Sequence, residues 1–558
     1  MKARPWPAAA VAGMAALWMA AAGNLPLWQR LLALDVLDGA QRALLMLAML
    51  GLLWSALMLL LSLFTWRLTL KPALTLLLLV CAAASHFMAS YGVVIDRGML
   101  TNVLQTDRLE AAALLDWRLP TTLAWLAGLP LLWLWRQDVS YGNAAARLGR
   151  NLLLALGSAA LLGAVVLAAF QPLASLMRNH KDLRYLLNPL ASVYALAQAV
   201  AQPPRHAAGK LQPLGEDATL APMARPRMLL LVLGETARSD NFSINGYGRP
   251  TTPGLQQEDV ASFRNAWACG TSTAASVPCM FSGRTRAQFD RAAPPRENLL
   301  DVLQRAGLAV LWLDNQSGCK GVCDRVPHAR TGDGTASAPS SAPSSAPSSA
   351  FCAGGECFDE ALLDGLDDRL AALDPQRRAR GVVIVLHQMG SHGPAYHRRS
   401  PAGRKRFLPE CDSPALHNCS RDSVVNAYDN SIAYTDHFLV RAIRWLQAQE
   451  QAADTALLYV SDHGESLGEA NLYLHGMPYA LAPEVQKRVP WITWASAGLR
   501  SRTGLSMECL REHRDRAISH DNYFHAVLGW MQVKTSAYQA ALDPYASCRQ
   551  PASEDAGE

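Results

Sequence analysis

Apolar residues gather in five segments before residue 176, approximately Ala8–Ala22, Leu44–Leu63, Ala73–Tyr91, Thr121–Trp135 and Leu152–Phe170. A helix crosses the hydrocarbon core of a bilayer with about 20 apolar residues. Each segment is near that length, the first and fourth being short. Within a bilayer every backbone polar group must be satisfied internally, so these segments are expected to be helices. Lys2 and Arg4 precede the first, Arg67 and Lys71 lie between the second and third, and Arg136, Arg147 and Arg150 lie between the fourth and fifth. Basic residues mark the cytoplasmic ends of spans. The N-terminus is then inside, and five crossings put everything after residue 175 outside. If the first segment is instead a cleaved signal peptide, four crossings from an outside end leave the later residues on the same side.

Cysteine placement agrees with that topology. Of eleven cysteines, Cys81 lies in an apolar segment and ten fall between Cys269 and Cys548. Proximity suggests the pairs Cys269/Cys279, Cys319/Cys323, Cys352/Cys357, Cys411/Cys419 and Cys509/Cys548, and hence an oxidising compartment. No CxxC pair occurs, which argues against a thiolate zinc ribbon. A formal charge of +5 over 558 residues, without a basic stripe, gives no sign of a nucleic-acid partner.

Between the third and fourth segments, Asn102, Thr106 and Glu110 recur every four residues. On a helix they share one face, a polar patch at the outer membrane surface that is expected to face the soluble domain. Residues 176–226 read as a connector, with an amphipathic bridging helix from Asn179 to about Ala201 and a proline-containing loop after it. From Met228 the pattern becomes alternating strands and helices. Met228–Leu233, Leu308–Leu313, Val382–Leu386, Ala456–Val460 and Val489–Trp494 read as buried strands, and Arg421–Gln449 as a helix. That order predicts an α/β domain with a mostly parallel sheet covered on both faces. Residues 337–350 repeat Ala-Pro-Ser-Ser and read as a low-complexity insertion.

The chemistry-bearing residues follow the strands. Gly234-Glu235-Thr236 ends the first strand, and Ser461-Asp462-His463-Gly464-Glu465 ends the fourth. Sites in open α/β sheets form beyond the carboxyl ends of strands, so Glu235, Asp462 and His463 are expected to converge. The stretch Cys269-Gly-Thr-Ser-Thr-Ala-Ala-Ser-Val-Pro-Cys279 reads as a loop opening a helix, whose N-terminal N–H groups and dipole favour an anion. One of its hydroxyls, on Thr271 or Thr273, can join the carboxylates and imidazole. Such an O/N donor set suits zinc and activates the hydroxyl as a nucleophile. His387, His392 and His475 sit on glycine-containing loops after strands and are candidates for proton transfer or a second metal. Lys320, between Cys319 and Cys323, can neutralise a phosphate as a point charge.

Val232–Asp240, Cys269–Ser282, His387–Pro394 and Ser461–Pro478 resemble the motifs of bacterial phosphoethanolamine transferases. The chain is most similar to those that modify lipid A and confer polymyxin resistance, which belong to the alkaline phosphatase and sulfatase superfamily. The resemblance covers nearly the whole chain, apart from the Ala-Pro-Ser-Ser insertion. It implies five transmembrane helices (1–175), a bridging helix and linker (176–226), and a periplasmic catalytic α/β domain of alkaline phosphatase/sulfatase type (227–558), with the whole a monomer in the bacterial inner membrane. It selects Thr273 as nucleophile and implies zinc ligation by Glu235, Thr273, Asp462 and His463. Catalytic roles fall to Thr273, His392 and His475, and substrate contacts to Lys320, Ser317, His387, Asn102, Thr106 and Glu110. The implied reaction moves phosphoethanolamine from phosphatidylethanolamine to a lipid A phosphate through a covalent threonine intermediate. Transfer to a lipopolysaccharide core sugar or Kdo, a sulfatase-like hydrolysis, a phosphoglycerol transfer, and a non-catalytic headgroup binder are the alternatives.

Overall fold

The computed structural model describes residues 4–34, 39–106, 111–112, 114–201, 211–290, 295–331, 350–353 and 355–549. Lys2, Glu110 and all of the 337–350 insertion except Ala350 lie outside them. The chain divides into two compact units, residues 1–104 with 114–202, and residues 105–113 with 203–558.

The first unit is helical. Helix α1 (Ala8–Ala21) continues through a 3-10 turn into α2 (Leu25–Leu32), followed by α3 (Gly39–Ser62), α4 (Leu70–Tyr91) and α5 (Ala144–Ala168). Among the described residues, four helices are long and apolar enough to cross a membrane: Ala8–Leu32, Gly39–Ser62, Leu70–Tyr91 and Ala144–Ala168. The expected fifth, Thr121–Trp135, is not one unbroken α-helix. It consists of Arg118–Leu123, a π-helical stretch Ala124–Gly128, and Leu129–Arg136. Pro130 explains the break, because it has no N–H to give the Leu126 carbonyl. The Trp18 indole N–H takes that carbonyl instead, at 2.9 Å.

The expected bridging helix from Asn179 to Ala201 is also divided. A helix ends at Asn179, a 3-10 turn covers Lys181–Leu186, and a new helix runs Leu190–Ala201. Pro189 disfavours helical backbone at Asn188. Asn188 is instead buried in a polar clasp. Its side chain donates to the carbonyls of Gly23 (3.0 Å) and Cys81 (2.7 Å), and its N–H donates to Asn24 Oδ1 (2.9 Å).

The second unit is built on an eight-stranded sheet: β1 (Arg227–Gly234), β2 (Val260–Trp267), β3 (Ala309–Asp314), β4 (His328–Arg330), β5 (Val382–His387), β6 (Asp454–Ser461), β7 (Arg488–Ala495) and β8 (Ile518–Ser519). The spatial order is β8-β2-β7-β6-β1-β5-β3-β4. The run from β6 through β1, β5 and β3 to β4 is parallel, whereas β7 is antiparallel to both neighbours. β1 is buried along its whole length, and its side chains alternate between two cores. Leu229, Leu231 and Leu233 enter one, while Met228, Leu230 and Val232 enter the other. Helix α6 (Thr273–Met280) contributes Val277 and Met280 to the first core. Helix α7 (Arg421–Ala448) covers the second with Tyr428, Ile432, Phe438 and Leu439. The five expected strands and the long helix are present to within two residues at each end. β2, β4 and β8 were not expected. The registers Ser461↔Gly234, His387↔Leu233 and Asp314↔His387 bring the carboxyl ends of four neighbouring strands to one edge.

Candidate active site

That edge carries the residues with chemistry. Glu235 leaves β1, Asp462 and His463 leave β6, His387 closes β5, and Gln316 follows β3. Glu235, Asp462, His463 and His387 are fully buried. Thr273 is the first residue of α6, and Ser272 before it is extended, so the helix starts at the centre. The Cys269–Cys279 disulfide closes this loop over ten residues, and the other four expected pairs are also formed.

The structure separates the two candidate threonines. Thr271 Oγ1 donates to the Met477 carbonyl at 2.7 Å. Thr273 Oγ1 lies 3.0 Å from Glu235 Oε2 and 3.5 Å from His463 Nε2. Ser276 Oγ accepts the Gly270 N–H at 2.9 Å and so holds the loop shut.

The ligand atoms of Glu235, Asp462 and His463 all lie within 4.8 Å of one another. His463 Nδ1–H donates to the Gly464 carbonyl at 2.9 Å. In the neutral ring that leaves the Nε2 lone pair facing Glu235 Oε1 and Asp462 Oδ2, each 3.4 Å away. Three electron-pair donors cannot converge without positive charge between them. Asp462 Oδ1 accepts the N–H groups of Thr236 (3.1 Å) and His463 (2.7 Å). Its buried Oδ2 has no hydrogen-bond partner among the described residues. Burial disfavours the charged imidazole, yet Asp462 and Glu235 push His463 up to about 10. Burial likewise works against charge on Glu235, but with His463 Nε2 protonated the hydrogen bond and charge of His463 hold it far below the usual carboxylate range. The donor set therefore fits a divalent cation, with two carboxylates, one imidazole and the Thr273 hydroxyl around one point.

Several supporting groups escaped the sequence reading. Gln316 Nε2 donates to Glu235 Oε2 at 3.0 Å, and Thr236 Oγ1 donates to Glu235 Oε1 at 2.5 Å. His387 Nδ1 lies 2.8 Å from Asp314 Oδ2, and its Nε2 is 4.0 Å from Glu235 Oε2. Burial opposes charge on Asp314, but His387, Trp312 and Gly318 hold it at about 2. Asp314 ends β3 and Gln316 lies just beyond it, so both follow the same strand-end rule as Glu235. Gly390 explains another close fit. Its φ is +52°, and an added Cβ would meet the Glu235 carbonyl oxygen at 2.6 Å, so the loop after β5 presses on the end of β1.

His475 stands beside the centre, its ring 4.4 Å from that of His463 and 5.8 Å from that of His392. Its Nδ1 lies 3.4 Å from the buried Glu465 carboxylate. Lys320 Nζ donates to Ser317 Oγ at 2.7 Å. Ser317 follows Gln316, so this pair is one residue from a direct contact of Glu235. Of the expected polar patch, Asn102 lies on a helix that ends at Gln105, Thr106 follows that end, and Glu110 is outside the described residues.

Comparisons with known proteins agree with this geometry. A family model described as sulfatase matches residues 227–533, and one described as phosphoethanolamine transferase EptA/EptB matches residues 53–203. Phosphoethanolamine transferase EptA of Escherichia coli strain K12 is 38% identical over 552 residues, 96% of each chain. Phosphatidylethanolamine transferase Mcr-1 of Escherichia coli is 39% identical, covering 84% of this chain and 85% of its own. The solved integral membrane lipooligosaccharide phosphoethanolamine transferase A of Neisseria meningitidis superposes with a TM-score of 0.90 at 32% identity, covering 98% of this chain and 100% of its own. A chain with these relatives, apolar helices before residue 176 and a sulfatase-type sheet behind its strand-end centre belongs to the EptA family of phosphoethanolamine transferases.

Proposed function

We propose that this protein is a multi-pass bacterial inner-membrane enzyme with its catalytic unit in the periplasm. It moves phosphoethanolamine from phosphatidylethanolamine to a phosphate of lipid A, and thereby confers polymyxin resistance. The observation that carries the reading is Thr273 Oγ1, at a helix start and within 3.5 Å of both Glu235 and His463. Glu235, Asp462 and His463, with Thr273 as the fourth donor, would hold zinc, which favours the alkoxide and withdraws charge from the phosphoryl oxygens.

The chain's own groups account for the rest. Thr273 Oγ attacks phosphorus, and the bond from phosphorus to the diacylglycerol oxygen breaks. The leaving oxygen takes a proton, and phosphoethanolamine remains ester-linked to Thr273. A phosphate oxygen of lipid A then attacks the same phosphorus and releases Thr273. His475 and His392 are placed to give and take these protons, with Glu465 orienting His475 through Nδ1. His387 holds the Glu235 side of the centre and is itself held by Asp314. Lys320 and Ser317 offer an ammonium and a hydroxyl to the phosphoryl oxygens. Asn102, Thr106 and Glu110 are assigned to the lipid substrate on the strength of the family motif.

Both substrates carry acyl chains, which accounts for the apolar helices that share the chain with the catalytic unit. Thr273→Ala should lower transfer by roughly 10³-fold or more while leaving membrane insertion unchanged. Mass spectrometry of lipid A from expressing cells reads the phosphoethanolamine increment. Wild-type increments from the Thr273→Ala protein would rule out the covalent route.

A further inference from the structure

The turn that carries Glu235 is held in a conformation its own residues disfavour. Thr236 has a φ of +58°, in the left-handed region, and among the described residues it is the only β-branched one with a positive φ. A branched side chain crowds the backbone there, so such a turn persists only where its surroundings fix it. Thr236 is fully buried, and each of its polar groups has a partner. Its N–H donates to Asp462 Oδ1 at 3.1 Å, its hydroxyl donates to Glu235 Oε1 at 2.5 Å, and its carbonyl accepts the Tyr428 O–H at 2.7 Å. The first two contacts link one candidate ligand to the other. The third comes from a separate element, α7.

Tyr428 is fully buried, and its hydroxyl is used twice. While the O–H donates to Thr236, the oxygen accepts the Arg238 N–H at 2.9 Å. Tyr428 thus spans the turn from the side of α7, and Ser461 Oγ takes the Ala237 N–H at 2.8 Å from the side of β6. The phenol ring is itself fixed, packed edge-on against Tyr396 with centroids 5.5 Å apart. A phenylalanine would keep that packing and leave two buried backbone groups without a partner. Relaxation of Thr236 towards negative φ would then break the link between the two carboxylates.

We propose that Tyr428 is a positioning residue of the cation centre. Its hydroxyl holds Thr236 in the left-handed conformation that sets Glu235 and Asp462 around one point. The proposal rests on the cation reading of that centre.

The test uses the purified full-length protein in detergent, stripped of metal, with zinc returned in competition with a chromogenic chelator. Tyr428→Phe should weaken zinc binding about tenfold, as for other groups that orient a ligand, and should shift the visible absorption of the cobalt(II)-loaded protein. At saturating zinc, kcat for transfer from phosphatidylethanolamine should fall about tenfold while KM stays within about twofold. Glycine takes positive φ freely, so in a Thr236→Gly background the same Tyr428→Phe change should cost no more than about twofold in zinc affinity. An unchanged zinc affinity and cobalt spectrum in Tyr428→Phe would overturn the proposal, as would an equal loss in both backgrounds. If Tyr428→Phe alone does not fold, Thr236→Gly with and without Tyr428→Phe carries the comparison, and a tenfold difference between those two would overturn it. Wild-type protein that binds no zinc defeats the cation reading itself, whereas wild-type binding matched by Tyr428→Phe defeats only the role of Tyr428.

Discussion

His520 satisfies both ring nitrogens only as the neutral Nε2–H tautomer. Its Nδ1 accepts the Cys269 N–H at 3.0 Å, and its Nε2–H donates to the Ser461 carbonyl at 3.0 Å. The ring thus ties the start of the Cys269–Cys279 loop to the residue before Asp462. Full burial pushes it down to about 4. Its ordinary value is near 6.5, so between those values the unfolded chain binds the proton and the folded one does not. The stabilisation is complete above pH 6.5 and is lost as pH falls towards 4, by about 3 kcal/mol in all. Unfolding midpoints measured across that window should fall with pH in the wild type and flatten in His520→Gln, whose amide can also accept and donate. An unchanged slope would remove His520 from this role. Nothing near His520 in the sequence announced it, because its partners are 251 and 59 residues away. Thr273 shows the opposite limit. Residue chemistry narrowed the proposed nucleophile to Thr271 or Thr273, family spacing favours Thr273, and the structure gives the Thr271 hydroxyl a partner in the Met477 carbonyl.

Helices and strands were legible where one strong pattern ruled them. β1 is an uninterrupted apolar run buried on both faces, and α7 is long, so both were found nearly to the residue. β2 was missed because Ser262, Arg264 and Asn265 interrupt its apolar positions, and β8 has two residues. The segment around Thr121–Trp135 was read by composition, which does not show that Pro130 frees a carbonyl in apolar surroundings. The Trp18 indole answers that carbonyl, which gives a test at this scale. Trp18→Phe should cost about 1–2 kcal/mol by leaving Leu126 O unpaired. Adding Pro130→Ala supplies a backbone N–H to the same oxygen and should recover part of the loss. Thermal unfolding in detergent reads the cycle, and strictly additive effects would refute the link. In the soluble unit, Leu231→Ala removes a fully buried side chain from the middle of β1 and should cost about 2–5 kcal/mol, read by denaturant unfolding.

At the scale of the molecule, the centre exists only when β6, β1, β5 and β3 are aligned. Removing divalent cations should stop turnover, with zinc restoring it. It should also lower the unfolding midpoint of the catalytic unit, since Glu235 and Asp462 then face each other with less charge between them. A chelated protein with full activity would exclude the metal assignment. The alignment has a further consequence in time. Synthesis delivers Thr236 226 residues before Asp462, so a growing chain carries an incomplete ligand set for most of its emergence. Four of its five cystine bridges span ten residues or fewer. They need no distant partner and can close as soon as each loop clears the membrane. The loop that carries the proposed nucleophile can thus be cinched by its own short bridge long before the imidazole that completes the centre has been translated, and competence for chemistry arrives as one of the last events of assembly.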